Sequence, residues 1–78
     1  MTREEFQKRY SNHPMGHAFK ACEIATDFRE LHIYYITAKT TVHLLKYQGE
    51  LTQAEEDSLI EMLHRITDGK LGTQETAH

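Results

Sequence analysis

Six histidines and one cysteine carry the most reactive side chains in this 78-residue chain. His13 and His17 stand four apart, a metal-compatible spacing within one helix, but Pro14 lies between them. Glu61-Met62-Leu63-His64 sets a carboxylate and an imidazole three residues apart, so both project from one helix face. Carboxylate-bridged di-iron bundles use such a pair, joined by further glutamates from neighbouring helices. Glu23 and Glu30 are available on the long helix predicted below, but they face away from its apolar seam. The competing reading pairs Glu61 with Arg65 at i, i+4 as an ordinary surface ion pair. Glu61 and His64 are therefore candidate metal ligands, in a chain that otherwise implies no cofactor.

Cys22 could act as a nucleophile beside a histidine. Its neighbours Ala18, Ala21 and Ala25 favour a small buried thiol in close helix packing instead. The four glycines are isolated at 16, 49, 69 and 72, so no glycine-rich phosphate loop exists. No Ser/His/Asp arrangement stands out. The expectation is a protein that is not an enzyme.

These residues must be positioned by a small domain. Nine basic and twelve acidic residues leave a formal charge of −3, with 38% hydrophobic and 27% charged residues. That balance suits one soluble domain and denies non-specific nucleic-acid binding its electrostatic footing. A single cysteine excludes an intrachain disulfide framework. Glu4, Glu5 and Lys8 interrupt any signal-like apolar run, and no stretch approaches the ~18 apolar residues that span a bilayer. A cytoplasmic location is expected.

The elements follow from caps and breakers. Thr2 and Glu5 have capping-box spacing, and Phe6 and Tyr10 share a face, so residues 2–11 read as a short helix that needs a packing surface. Pro14 suits the first turn of a new helix. From His17 to Gln48 there are 32 residues without Gly or Pro, roughly 48 Å if all helical. His17, Ala21, Ile24, Phe28, Leu31, Tyr35, Ala38, Val42 and Leu45 alternate by 4 and 3, a heptad seam. The spacing predicts one long central helix over about 15–48. A strand over 32–37 competes, because His32-Ile33-Tyr34-Tyr35-Ile36-Thr37 is rich in β-branched and aromatic residues. The unbroken heptad phase favours helix. Gly49 suits a helix stop, and Thr52 with Glu55 forms a second capping box. Residues 52–67 are then an antiparallel partner for the long helix, ended by Asp68-Gly69. The predicted fold is all-α, with a helical domain over 1–69 and a flexible polar tail over 70–78.

A second stripe runs along the lower half of the long helix: Ile33, Ile36, Thr40, Leu44 and Tyr47. A helix apolar on two sides must be covered on two sides. Self-association as a coiled-coil-like homodimer is expected, with Phe28, Leu31, Tyr34, Tyr35, Ala38, Val42, Leu45 and Tyr47 as the interface to a second copy or to a protein partner that the chain regulates. His17 lies on the seam, so protonation of a buried histidine there is expected to weaken the oligomer as pH falls from about 7 to 5. A helix-turn-helix DNA reader is disfavoured. Its recognition helix would begin with Glu55, Glu56 and Asp57, which repel phosphate.

Overall fold

The computed structural model describes residues 2–76, and the side-chain surroundings of residues 2–70. It is all-α, with α1 at Arg3–Tyr10, α2 at Pro14–Ile24, α3 at Phe28–Tyr47 and α4 at Gln53–Thr76. No strand occurs among the described residues, and 32–37 lies inside α3.

The N-terminal signals act as the spacing predicts. The Thr2 hydroxyl accepts from the Glu5 amide at 3.2 Å, and the Glu5 carboxylate accepts from the Thr2 amide at 3.3 Å. Pro14 opens α2, and His13 caps it, its Nδ1 accepting from the Met15 amide at 3.1 Å. α1 is too short to stand alone, and it packs on α2. Phe6 meets Phe19 with ring centroids 4.8 Å apart. Gly16 allows the approach: a Cβ there would lie 1.8 Å from the Tyr10 carbonyl oxygen.

The long central helix does not exist as one element. It stops at Ile24 and restarts at Phe28, and the two pieces fold against each other. The turn is written without Gly or Pro. Ala25 leaves the helical region with ψ 136°. Asp27 then caps α3, its carboxylate accepting from the Glu30 amide at 2.9 Å. Glu30 reaches back and accepts from the Thr26 amide at 3.1 Å and from the Thr26 hydroxyl at 2.7 Å. Thr26-Asp27-x-x-Glu30 is thus a helix start embedded in an apparently continuous pattern.

The break redistributes the seam. Its upper part faces solvent: His17 is exposed, and Ile24 and Phe28 are 63% and 54% exposed. α2 instead buries Met15, Phe19 and Cys22. The lower seam holds, with Leu31, Ala38, Val42 and Leu45 buried and Tyr35 half-buried. His17 is therefore outside the chain's own packed interior.

The α3–α4 connection is a Schellman turn. Gly49 has φ +81°, the Gly49 amide donates to the Lys46 carbonyl at 3.1 Å, and the Glu50 amide donates to the Leu45 carbonyl at 3.0 Å. Leu51 is buried just beyond it. The Thr52 hydroxyl accepts from the Glu55 amide at 3.1 Å, and the Glu55 carboxylate accepts from the Thr52 amide at 2.9 Å. α4 then folds back over α3 and α2, burying Leu59 and Leu63.

α4 does not end at Asp68-Gly69; its helical trace runs on to Thr76. A glycine inside a helix costs about 1 kcal/mol relative to alanine without ending it. Lys70 gives the extra turn a tertiary anchor by donating to the Ala25 carbonyl at 3.1 Å, at the open end of α2. The expected tail over 70–78 therefore begins as helix, and its residues 77 and 78 lie outside the described residues.

Candidate functional site

The eight residues expected at an interface divide into two groups. Leu31, Ala38, Val42 and Leu45 have at most 6% exposure and belong to the chain's own core. The reason is the break after Ile24: α2 and α4 both cover this face of α3. Tyr34 and Tyr35 are half-buried against the same core. Only Phe28, 54% exposed, and Tyr47, 89% exposed, lie open to a partner.

The opposite face of α3 is where apolar surface accumulates. Ile33 is 55% exposed, Ile36 48% and Leu44 51%, and with Tyr47 they line up through Thr40 along one side of the helix. At 100° per residue these positions fall diametrically across from Leu31, Ala38 and Val42. No charged residue interrupts the stripe between Ile33 and Tyr47. Two threonines are internally satisfied: Thr37 donates its hydroxyl to the Ile33 carbonyl at 2.9 Å, and Thr41 to the Thr37 carbonyl at 2.8 Å. Their hydroxyls turn into the helix backbone, which makes this surface easier to desolvate. The stripe's spacing is legible in the sequence. What the sequence hides is which of the two stripes on α3 the chain covers itself.

The candidate metal ligands do not converge. Glu61 is ion-paired with Arg65 one helical turn on. His64 shares a 3.0 Å hydrogen bond between its Nε2 and the Tyr35 hydroxyl, and its ring stacks on Tyr35 with centroids 5.9 Å apart. Among the described residues no group of three or more His, Cys, Asp or Glu side chains is placed to hold a metal ion. His43 Nδ1 lies 3.1 Å from the Glu56 carboxylate, and this contact is the main cause holding the Glu56 pKa below its ordinary value.

Cys22 is fully buried, and burial pushes its thiol pKa up to about 11. A thiol held protonated in this way is a packing group rather than a nucleophile. The most perturbed carboxylate is Glu55, lowered to about 2. The Thr52 backbone amide is the leading cause, followed by the Arg9 guanidinium, whose Nη1 lies 2.5 Å from Glu55 Oε2. Both are structural roles: Glu55 completes the α4 cap and ties α1 to α4.

A groove that the sequence does not announce lies between α1, α2 and α4. It encloses about 290 Å³ over a floor of Phe6, Phe19, Met62 and Ile66, with Arg3, Lys20 and Glu23 at its rim. Its walls come from the neighbouring helices α1 and α2 and from the distant α4, which supplies Met62 and Ile66, so the spacing within any one helix does not reveal it.

No known protein family, curated protein or solved structure matches the chain. No helix among the described residues is long and apolar enough to cross a membrane.

Proposed function

We propose that this protein is a non-enzymatic helical interaction protein of the cytoplasm that dimerises through the outer face of α3 and acts by binding and regulating a protein partner. The observation that carries the reading is the uncharged stripe of Ile33, Ile36, Thr40, Leu44 and Tyr47, exposed on the side of α3 that no other helix covers. Contiguous exposed apolar surface of this kind marks interaction sites.

The stripe is also self-complementary. Its spacings are 3, 4, 4 and 3, which read the same in both directions. A two-fold axis beside Thr40 sets Ile33 against Tyr47 of the partner subunit and Ile36 against Leu44 of the partner subunit. A closed two-fold dimer requires such a patch, in which residue i meets j and j meets i. An antiparallel pair of α3 helices would form the dimer's seam, with coiled-coil-like packing. The surface remaining around that seam is left for the regulated partner.

Sedimentation equilibrium at micromolar concentration tests the reading. The wild type is expected to be a dimer and Ile36→Lys a monomer, because one substitution places two unpaired lysines in the interface, at several kcal/mol for each such group. The helical signal of the monomeric variant should be retained, since Ile36 is outside the core. A monomeric wild type whose melting transition is independent of concentration would refute self-association.

A further inference from the structure

The groove between α1, α2 and α4 has a construction unlike the α3 stripe. α1 packs its backbone on α2 alone, and it meets α4 only through side chains. The salt bridge from Arg9 to Glu55 is one such side-chain link. The groove runs along α1 from Arg3 to Ser11 and along α2 from Gly16 to Glu23, and its floor is the half-buried Met62 and Ile66 of α4 with the buried Phe6 and Phe19. The cavity of about 290 Å³ continues past Arg3 into an adjoining one of about 240 Å³, with Arg3, Met62 and Ile66 common to both. Small-molecule clefts begin at roughly 300 Å³ and are mostly apolar with a few placed polar groups. The two joined cavities make an elongated space along α1 that sets the apolar side chains beside Gln7, Ser11, His17 and the charged rim, and a single flexible chain fits such a space.

The rim supplies the sign of the ligand. Gly16, Lys20 and Glu23 fall on successive turns along one side of α2. The Arg3 guanidinium is ion-paired with Glu23, so those two charges cancel locally. Lys20 has no ion-pair partner among the described residues, which leaves one uncompensated cation over the apolar floor. A single negative head on an apolar tail matches both features. The head would pair with the Lys20 ammonium while the tail displaces water from Phe19, Met62 and Ile66.

We propose that this groove binds a single-chain anionic amphipath, of the class of medium-chain fatty carboxylates. The site is separate from the α3 stripe and does not depend on dimerisation. Decanoate, kept below its micelle concentration, is the probe, with decanol as the uncharged control of equal chain length. Each is titrated into the ¹⁵N-labelled full chain and followed by amide chemical shifts. Saturable decanoate shifts are expected within residues 3–11, 16–23 and 62–66, with decanol binding at least several-fold more weakly. Lys20→Glu is expected to weaken decanoate by about fivefold or more, as loss and reversal of an exposed ion pair imply. Lys20 is exposed, so the variant should fold, and an unchanged amide spectrum outside the groove verifies this. Met62→Gln should weaken both probes, because it removes apolar floor without touching the charge. Equal affinity for decanol and decanoate, or an unaltered Lys20→Glu affinity, would overturn the anionic assignment. Shifts confined to Ile33, Ile36, Leu44 and Tyr47, or no saturation, would overturn the site itself.

Discussion

Replacing Gly16 with alanine sets two calculable effects against each other. Gly16 lies in the first turn of α2, and alanine is the better helix former by about 1 kcal/mol. On local grounds the substitution should therefore stabilise. The tertiary contact decides otherwise. The new Cβ would stand 1.8 Å from the Tyr10 carbonyl oxygen and 2.8 Å from its carbonyl carbon. An ordinary contact begins at 3.4 Å, so α1 must retreat by 3.4 − 1.8 = 1.6 Å. A side chain could rotate away, but a backbone carbonyl cannot, and this one also accepts from the His13 amide at 3.1 Å. Retreat on that scale separates Phe6 from Phe19 and loosens Tyr10, both of which are otherwise buried. Overpacking costs about 1–3 kcal/mol, and rigid backbone places this site toward the upper end. The net expectation is a loss of about 1–2 kcal/mol after the helical gain is subtracted, or roughly 4–8 °C in melting temperature per kcal/mol. Urea unfolding followed by far-ultraviolet circular dichroism measures it, with aromatic proton shifts of Phe6 and Tyr10 reporting the displacement of α1. A variant as stable as the wild type, or more so, would refute the close α1–α2 crossing.

Three further outcomes follow from the caps and the core. Asp27→Ala removes the acceptor for the Glu30 amide and should cost about 1 kcal/mol in urea unfolding. Glu55 contributes stability that is fully present above its unfolded pKa near 4.5 and is lost as pH falls toward about 2. Acid unfolding of Glu55→Gln should accordingly be flatter across that window than that of the wild type. Cys22 is buried and held protonated, so iodoacetamide should modify it only as fast as the chain opens. Immediate alkylation of the folded protein would contradict its placement.

Local grammar in this sequence was easier to read than direction. Both capping boxes, at Thr2 and Thr52, the proline start of α2 and the glycine stop at Gly49 occur where their chemistry places them. Each depends on residues within a few positions of one another. The turn at 25–27 is masked because the heptad count crosses it in phase, and because a helix can end where its partners are better placed rather than where a breaker stands. The start signal was present in Asp27 and Glu30, a cap residue followed three positions later by a glutamate. Gly69 reads as an end by its type, but Lys70 anchors the following turn to α2. Among candidate site residues, the spacing of the α3 stripe was visible, whereas its exposure depends on where α2 goes. The groove is a property of three helices at once and leaves no trace in any one of them.

The turn after Ile24 is what gives the molecule its two open surfaces. Had α2 continued into α3, the seam from His17 to Leu45 would have formed one extended ridge, with α4 on only its lower half. Folding α2 back brings Met15, Phe19 and Cys22 into the same cluster as Leu31, Val42 and Leu59. α2 and α4 then compete for one side of α3, and neither remains to cover Ile33, Ile36, Leu44 and Tyr47. The same fold-back makes α2 the surface on which α1 docks. α1 brings its backbone close to α2 and not to α4, and the space left beside it is the groove. Thr26, Asp27 and Glu30 therefore act on both surfaces without lining either. Weakening that cap should loosen the groove and the orientation of the α3 stripe together, whereas Lys20 and Ile36 variants should alter one and leave the other intact.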